Sequence, residues 1–149
     1  MELQFEAALI DRCHALALKG YEEGGVPVGS LLARGEEIVA EGWNRRVQSG
    51  DPIAHGEMDC LRRAGRQRSY RDTILYTSLS PCMMCAGTIV QFGIPAVVIL
   101  ENRNFGGNEN FLRAKGVAVT IVDDRRCIDL MARFIAERPE LWNEDISAA

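Results

Sequence analysis

His55-Gly56-Glu57, followed further along by Pro81-Cys82-Met83-Met84-Cys85, decides the reading of this chain. The two segments supply one imidazole, two thiols and a carboxyl group. Catalytic zinc usually takes three protein ligands and keeps a fourth position for water, and His55, Cys82 and Cys85 provide three. Ser80-Pro81 reads as a helix start, Ser as cap and Pro in the first turn. Cys82 and Cys85 then share one face of that turn. The positive end of the helix favours two thiolates there. Two thiolates and a neutral imidazole cancel the charge of Zn²⁺. Water bound in the open position has its pKa lowered to about 7. Glu57 lies two residues from His55, where a helix points it elsewhere. It therefore reads as the proton carrier, taking a proton from water and delivering protons to a substrate nitrogen and a leaving amine.

A C-x-x-C pair can also be a redox couple or half of a structural zinc knuckle. A structural site wants a fourth Cys or His. The other cysteines, Cys13, Cys60 and Cys127, form no second C-x-x-C, and the other histidine is His14. These three cysteines sit in apolar, helical contexts and read as small buried residues. His14, beside Ala15 and Leu16, reads as a surface or partly buried helix residue.

Outward from the motifs, elements alternate. Leu3 to Glu22 reads as an amphipathic helix with Phe5, Leu9, Cys13 and Leu16 on one side, ended by Gly24-Gly25. Val26–Leu32 and Ile38–Gly42 read as strands of a hairpin turning at Arg34-Gly35-Glu36. His55 opens a helix to about Arg63. Ile74–Leu79 is a strand leading into the Cys82–Phe92 helix. Val97–Leu100 and Val117–Val122 are strands separated by an Asn110–Lys115 helix. Arg125–Glu137 is a helix, and Pro139 begins a final short one. The expected fold is a three-layer α/β/α sandwich around a central five-stranded mixed sheet. The 149 residues read as a single domain, without repeat or linker.

Composition narrows the function classes. Hydrophobic residues make up 47% and the formal net charge is −4, which argues against a phosphate-backbone binder. The arginines at 62, 63, 66 and 68 read as a solvated helix end. No apolar run reaches membrane-spanning length, and the first residues do not begin a signal peptide. Five cysteines, two of them in a metal motif, fit a reducing cytoplasm better than a disulfide framework.

The H-x-E…P-C-x-x-C pattern is the signature of zinc nucleobase deaminases. Beyond it, the chain resembles the fungal-type cytosine deaminases of the cytidine deaminase superfamily. The resemblance runs from Gly20 to Ile146. It includes Gly24-Gly25-Val26-Pro27-Val28-Gly29, Asn44, Leu75-Tyr76-Thr77, Leu79-Ser80-Pro81-Cys82 and Gly93-Ile94-Pro95. It continues through Glu101-Asn102, Asn104-Phe105 and Glu137-Arg138-Pro139 to Trp142 and Glu144-Asp145-Ile146. The C-terminal tail is its most specific part. The resemblance implies zinc-dependent hydrolysis of an amino group from a free base, cytosine first. It also implies a homodimer, with Met83-Met84 and Ile89–Phe92 offering apolar surface unless they fill the protomer's own core.

Substrate-binding roles are likewise implied. Asn44 meets the pyrimidine edge, the backbone amides of Gly56 and Cys82 meet the ring, and Phe105 packs on its face. Trp142 forms a pocket wall, and Asp145 reads the amino side. Taken singly, Asn44 is also a turn residue, Phe105 and Trp142 ordinary core, and Asp145 a helix-end charge. Val47 and Asn143 depart from the family pattern. Each stands where an aromatic is expected, which predicts a pocket wider or more polar on that side. Alternative substrates are isocytosine, creatinine, guanine, a pterin or a nucleoside. A tRNA adenosine deaminase and a non-catalytic zinc domain are the readings from other classes. The acidic balance and the tail weigh against the first, and Glu57 against the second.

Overall fold

The computed structural model describes residues 2–148, with side chains from residue 6 onward. Five strands form one sheet in the order β2-β1-β3-β4-β5, where β1 is Gly29–Arg34, β2 Glu37–Trp43, β3 Thr73–Thr77, β4 Ala96–Ile99 and β5 Ala118–Ile121. β1 is antiparallel to both β2 and β3, while β3, β4 and β5 run parallel. The expected mixed sheet is thus present, with the hairpin at one edge and the parallel strands at the other.

The helices are α1 (Glu2–Glu22), α2 (Arg46–Ser49), α3 (Gly56–Ala64), α4 (Met83–Phe92), α5 (Glu109–Ala114), α6 (Arg125–Glu137) and α7 (Pro139–Asp145). Period-two alternation along the strands separates two cores. Leu32, Leu75, Val97 and Ile99 pack against Cys60 and Leu61 of α3, Ala86 and Ile89 of α4, and Leu112 of α5. Leu31, Ala33, Tyr76 and Val98 pack against Leu9, Cys13 and Leu16 of α1 and Cys127 of α6. This is the three-layer sandwich. It buries Cys13, Cys60 and Cys127, as their apolar contexts suggest, and leaves His14 partly exposed. The side chain of Phe5 lies outside the described residues.

Two glycines set the spacing of the layers. A Cβ on Gly29 would lie 2.5 Å from the Ala17 amide nitrogen, so α1 rests directly on the start of β1. A Cβ on Gly42 would lie 2.4 Å from the Cys60 nitrogen, which presses α3 onto β2. Neither place admits a side chain without moving backbone.

Some boundaries differ from the sequence expectation. β1 begins at Gly29 and not Val26, because Pro27 has no N–H for the ladder and Val28 N–H donates locally to Val26 O at 2.8 Å. α2 is a single turn that hydropathy did not signal; Gly50 closes it in the left-handed conformation at φ 63°. α4 begins at Met83 with Cys82 as its N-cap, so Ser80-Pro81 is not the cap. The Ser80 hydroxyl is instead spent on Glu109, at 2.6 Å. α6 has a side-chain cap: the Asp124 carboxylate accepts from the Arg126 and Cys127 amides.

Candidate metal centre and cavity

His55 is the N-cap of α3 and Cys82 the N-cap of α4, both with extended backbone and neither using its side chain to cap. The two side chains are therefore free to turn toward each other. Cys85 stands in the first turn of α4. His55 Nδ1 lies 3.4 Å from Cys82 Sγ and 3.9 Å from Cys85 Sγ. The three donor atoms lie within 4.8 Å of one another. Zn–S bonds of about 2.3 Å and Zn–N bonds of about 2.0–2.1 Å in a tetrahedron place ligand atoms about 3.5–3.8 Å apart. The donor set and its spacing therefore fit zinc. Among the described residues, this is the group that could hold a metal ion, and Glu57 is not part of it.

The electrostatics follow from burial and proximity. Hydrogen bonding to Cys85 and to His55 outweighs burial and lowers Cys82 to about 4. The Cys82 thiolate and burial together push Cys85 well up. Burial works against a charged His55, yet its contact with Cys82 and the charge of Asp145 raise it to about 9. Burial raises Glu57 to about 7, with the Cys82 charge acting in the same direction. A carboxyl group titrating there can both accept and donate a proton near neutral pH.

His55, Glu57 and Cys82 line a cavity together with Val28, Asn44, Leu79, Ser80, Phe105, Trp142, Asp145 and Ile146. It encloses about 320 Å³ between its walls, solvent at the mouth included. The walls come from separated elements. Asn44 follows β2 and is 1% exposed. Its amide donates to Asp145 Oδ1 at 3.1 Å, and its carbonyl oxygen accepts from the Arg46 N–H at 2.9 Å. Asp145 Oδ1 also lies 3.5 Å from His55 Nε2. Burial raises the Asp145 carboxyl, with the His55 charge opposing it. Phe105 meets Trp142 edge to face, ring centroids 6.1 Å apart.

The cavity thus gathers Asn44, His55, Glu57, Cys82, Phe105, Trp142 and Asp145 from across the chain. Gly56 is buried with no room for a side chain, a Cβ there falling 2.8 Å from Val28 O. Val47 and Asn143 are both exposed, and neither side chain, as it stands, forms part of the cavity wall. On α4, Ile89 fills the protomer's own core, while Met83 and Phe92 are 55% and 40% exposed.

Sequence reasoning missed several supporting groups. Asp59, buried in the first turn of α3, accepts from the Trp43 N–H at 3.1 Å and from Arg45 Nε at 3.3 Å. It ties the strand end that carries Asn44 to the helix that carries Glu57. Glu101, 0% exposed, accepts from the Arg103 and Asn104 amides and from Asn104 Nδ2, and so shapes the turn before Phe105. Val28, Leu79 and Ile146 complete the apolar walls. Only the acidic side chains beside apolar runs hinted at these roles, and a surface charge gives the same hint.

Comparison with known proteins agrees with this geometry. The sequence profile of the family described as "Cytidine and deoxycytidylate deaminase zinc-binding region" matches residues 3–101. The chain is similar to a cytosine deaminase of Candida albicans, 48% identical over 133 residues, covering 87% of this chain and 89% of that protein. It is also similar to a tRNA-specific adenosine deaminase of Haemophilus influenzae, 33% identical over 125 residues, covering 81% of this chain and 69% of the relative. Among solved structures, a guanine deaminase from Nitrosomonas europaea superposes with a TM-score of 0.75 at 22% identity, covering 87% of this chain and 84% of that one. At that identity the likeness shows the fold.

Proposed function

We propose that this chain, which belongs to the cytidine and deoxycytidylate deaminase zinc-binding family and is a zinc-dependent hydrolytic deaminase, acts on a free nucleobase, with cytosine converted to uracil and ammonia. The observation that carries the free-base reading is the cover provided by α7. Trp142 and Asp145, with Ile146 just after the helix, wall the cavity beside His55, Glu57 and Cys82, and a cover there would leave little room for a ribose. The 48% identity to a cytosine deaminase supports the choice of base.

His55, Cys82 and Cys85 would hold the zinc. When bound, the ion supplies a Lewis acid that lowers the pKa of a coordinated water to about 7. The side chains do the rest. Asn44 has its carbonyl oxygen committed to Arg46 N–H, so it offers the ring its amide as a donor. Asp145 offers an acceptor to the exocyclic amine. Phe105 and Trp142 enclose the flat faces. The Gly56 and Cys82 amides face the ring. Glu57 takes the two protons of the attacking water in turn and gives one to the ring nitrogen and one to the departing amine. A C–O bond forms and the C–N bond breaks, and ammonia leaves.

The assembly proposed is a homodimer through α4, whose exposed Met83 and Phe92 are the apolar surface that a second copy would cover. The setting proposed is cytoplasmic, with no nucleic-acid or membrane partner. No helix among the described residues is long and apolar enough to cross a membrane.

Ammonia release by purified zinc-loaded protein tests the substrate. The panel is cytosine, isocytosine, creatinine, guanine, adenine, a pterin, cytidine and an adenosine-bearing tRNA stem-loop. Cytosine should give the highest kcat/KM. Turnover of cytidine or of the stem-loop with none on any free base overturns the reading.

A further inference from the structure

We propose that Glu109 is a positioning residue that locks the aromatic wall of the cavity to the loop carrying the metal ligands. Glu109 is the first residue of α5 and touches neither the cavity nor the three donor atoms. Its carboxylate collects three donors from three places. Oε2 accepts from Ser80 Oγ at 2.6 Å and from the Gly107 N–H at 3.0 Å, and Oε1 accepts from Asn102 Nδ2 at 3.0 Å.

The donors explain what is locked. Ser80 lines the cavity and stands two residues before Cys82. Asn102 and Gly107 flank Phe105, the aromatic wall. The neighbouring Asn108 adds a bond from its amide to Pro81 O at 3.0 Å, and Ser80 N–H donates to Glu101 O at 2.9 Å. The segment from Ser80 to Cys82 and the segment from Glu101 to Glu109 are thus stapled at three points, and Glu109 is the acceptor that joins one of these staples to both flanks of Phe105. A carboxylate suits the place because it is acceptor-only and has lone pairs for every donor. Bonds to an ionised acceptor are also the stronger kind. Ser80, whose hydroxyl would otherwise be free to cap α4, is held here.

The proposal rests on the reading that Cys82 and Cys85 hold zinc, and its test is chosen to remain readable if the substrate assignment fails. Zinc-loaded wild type, Glu109→Ala, Glu109→Gln and Asn102→Ala are compared by the rate of zinc release to excess chelator, by KM and kcat, and by thermal midpoint. Loss of a group that orients metal ligands typically costs about 10–100-fold in metal affinity, so Glu109→Ala should release zinc at least about tenfold faster. Its KM should rise more than its kcat falls. Glu109→Gln keeps an oxygen for Ser80 and Gly107 and should release zinc at a rate much nearer wild type. Asn102→Ala removes one of the three bonds and should fall between. If Glu109→Ala does not fold, the ordering of the other two variants against wild type carries the test. Zinc release unchanged in Glu109→Ala, or faster release in all variants only in proportion to a lower thermal midpoint, overturns the proposal. If no base is turned over by wild type, the zinc-release rates still decide it.

Discussion

His55, Glu57, Cys82 and Cys85 stand on the first turns of two helices whose other residues, Cys60 and Leu61 on α3 and Ala86 and Ile89 on α4, are buried against the sheet. Trp142 and Asp145 stand on α7, a seven-residue helix near the end of the chain with Asn143 and Glu144 turned to solvent. The metal side of the cavity takes its geometry from backbone and packed core. The cover packs Trp142 into a separate, smaller core with Val26, Val28, Leu79, Met131 and Phe134, and adds a few side-chain contacts. These are the Phe105–Trp142 edge, the Asn44–Asp145 hydrogen bond and the Arg46–Glu144 ion pair. The difference separates two tasks. Ligand atoms need placement to within a fraction of an ångström, while a cover has to admit a base and release a product.

The Asn44–Asp145 bond illustrates the second task. The donor and the acceptor proposed to read a base are hydrogen-bonded to each other. A bound base would take both. The Arg46–Glu144 pair lies outside the cavity and can persist through the exchange.

The largest effect should come from breaking the metal side. Cys85→Ala should lose zinc and all turnover, as measured by metal content of the purified protein and by ammonia release. Stoichiometric zinc in that variant would show that the metal half does not depend on its buried ligand.

Next is Glu57, the proposed proton carrier, which belongs to the same half but not to the proposed ligand set. Glu57→Gln keeps the shape and should keep zinc content and circular dichroism, while kcat falls by about 10³-fold. A kcat within tenfold of wild type assigns proton transfer to another group.

The smallest effect should come from the cover. Glu144→Gln removes the charge that meets Arg46. An exposed ion pair contributes about 0.2–1 kcal/mol, so KM should rise by no more than about fivefold, with zinc content unchanged. The difference from wild type should shrink at high salt, because the pair is open to solvent. Loss of zinc in this variant would mean that the two halves are not separable.

Much of this site was legible along the chain. The ligand set depends on residue type and on short spacings, and both survive in a string of letters. His55, Cys82, Cys85 and Glu57 could be named because each pair lies within one helical turn or one turn's entry. The alternating strands were legible for the same reason, since side chains on a pleated strand repeat every two residues. The exact start of α4 was not. Ser80 has the chemistry of a cap, but a tertiary partner, Glu109, claims its hydroxyl. β1 was read too long because hydropathy counts Val26 and Val28 as strand while Pro27 cannot join a ladder. That Val47 and Asn143 are exposed and off the cavity lining was not legible either, because family position gives neighbourhood and not which way a side chain faces.

By itself, then, the sequence determined the layered α/β architecture and named the three residues proposed to hold zinc and the nearby acid, because each rests on local periodicity or short spacing. Only the tertiary structure decided that Asn44 and Asp145 meet at 3.1 Å, that Trp142 closes the cavity over them, and that Asp59, Glu101 and Glu109 brace the walls. Those contacts join residues far apart along the chain. Their geometry depends on how α7 and the loops after β2 and β4 return to the ends of α3 and α4, which no local pattern of side chains encodes.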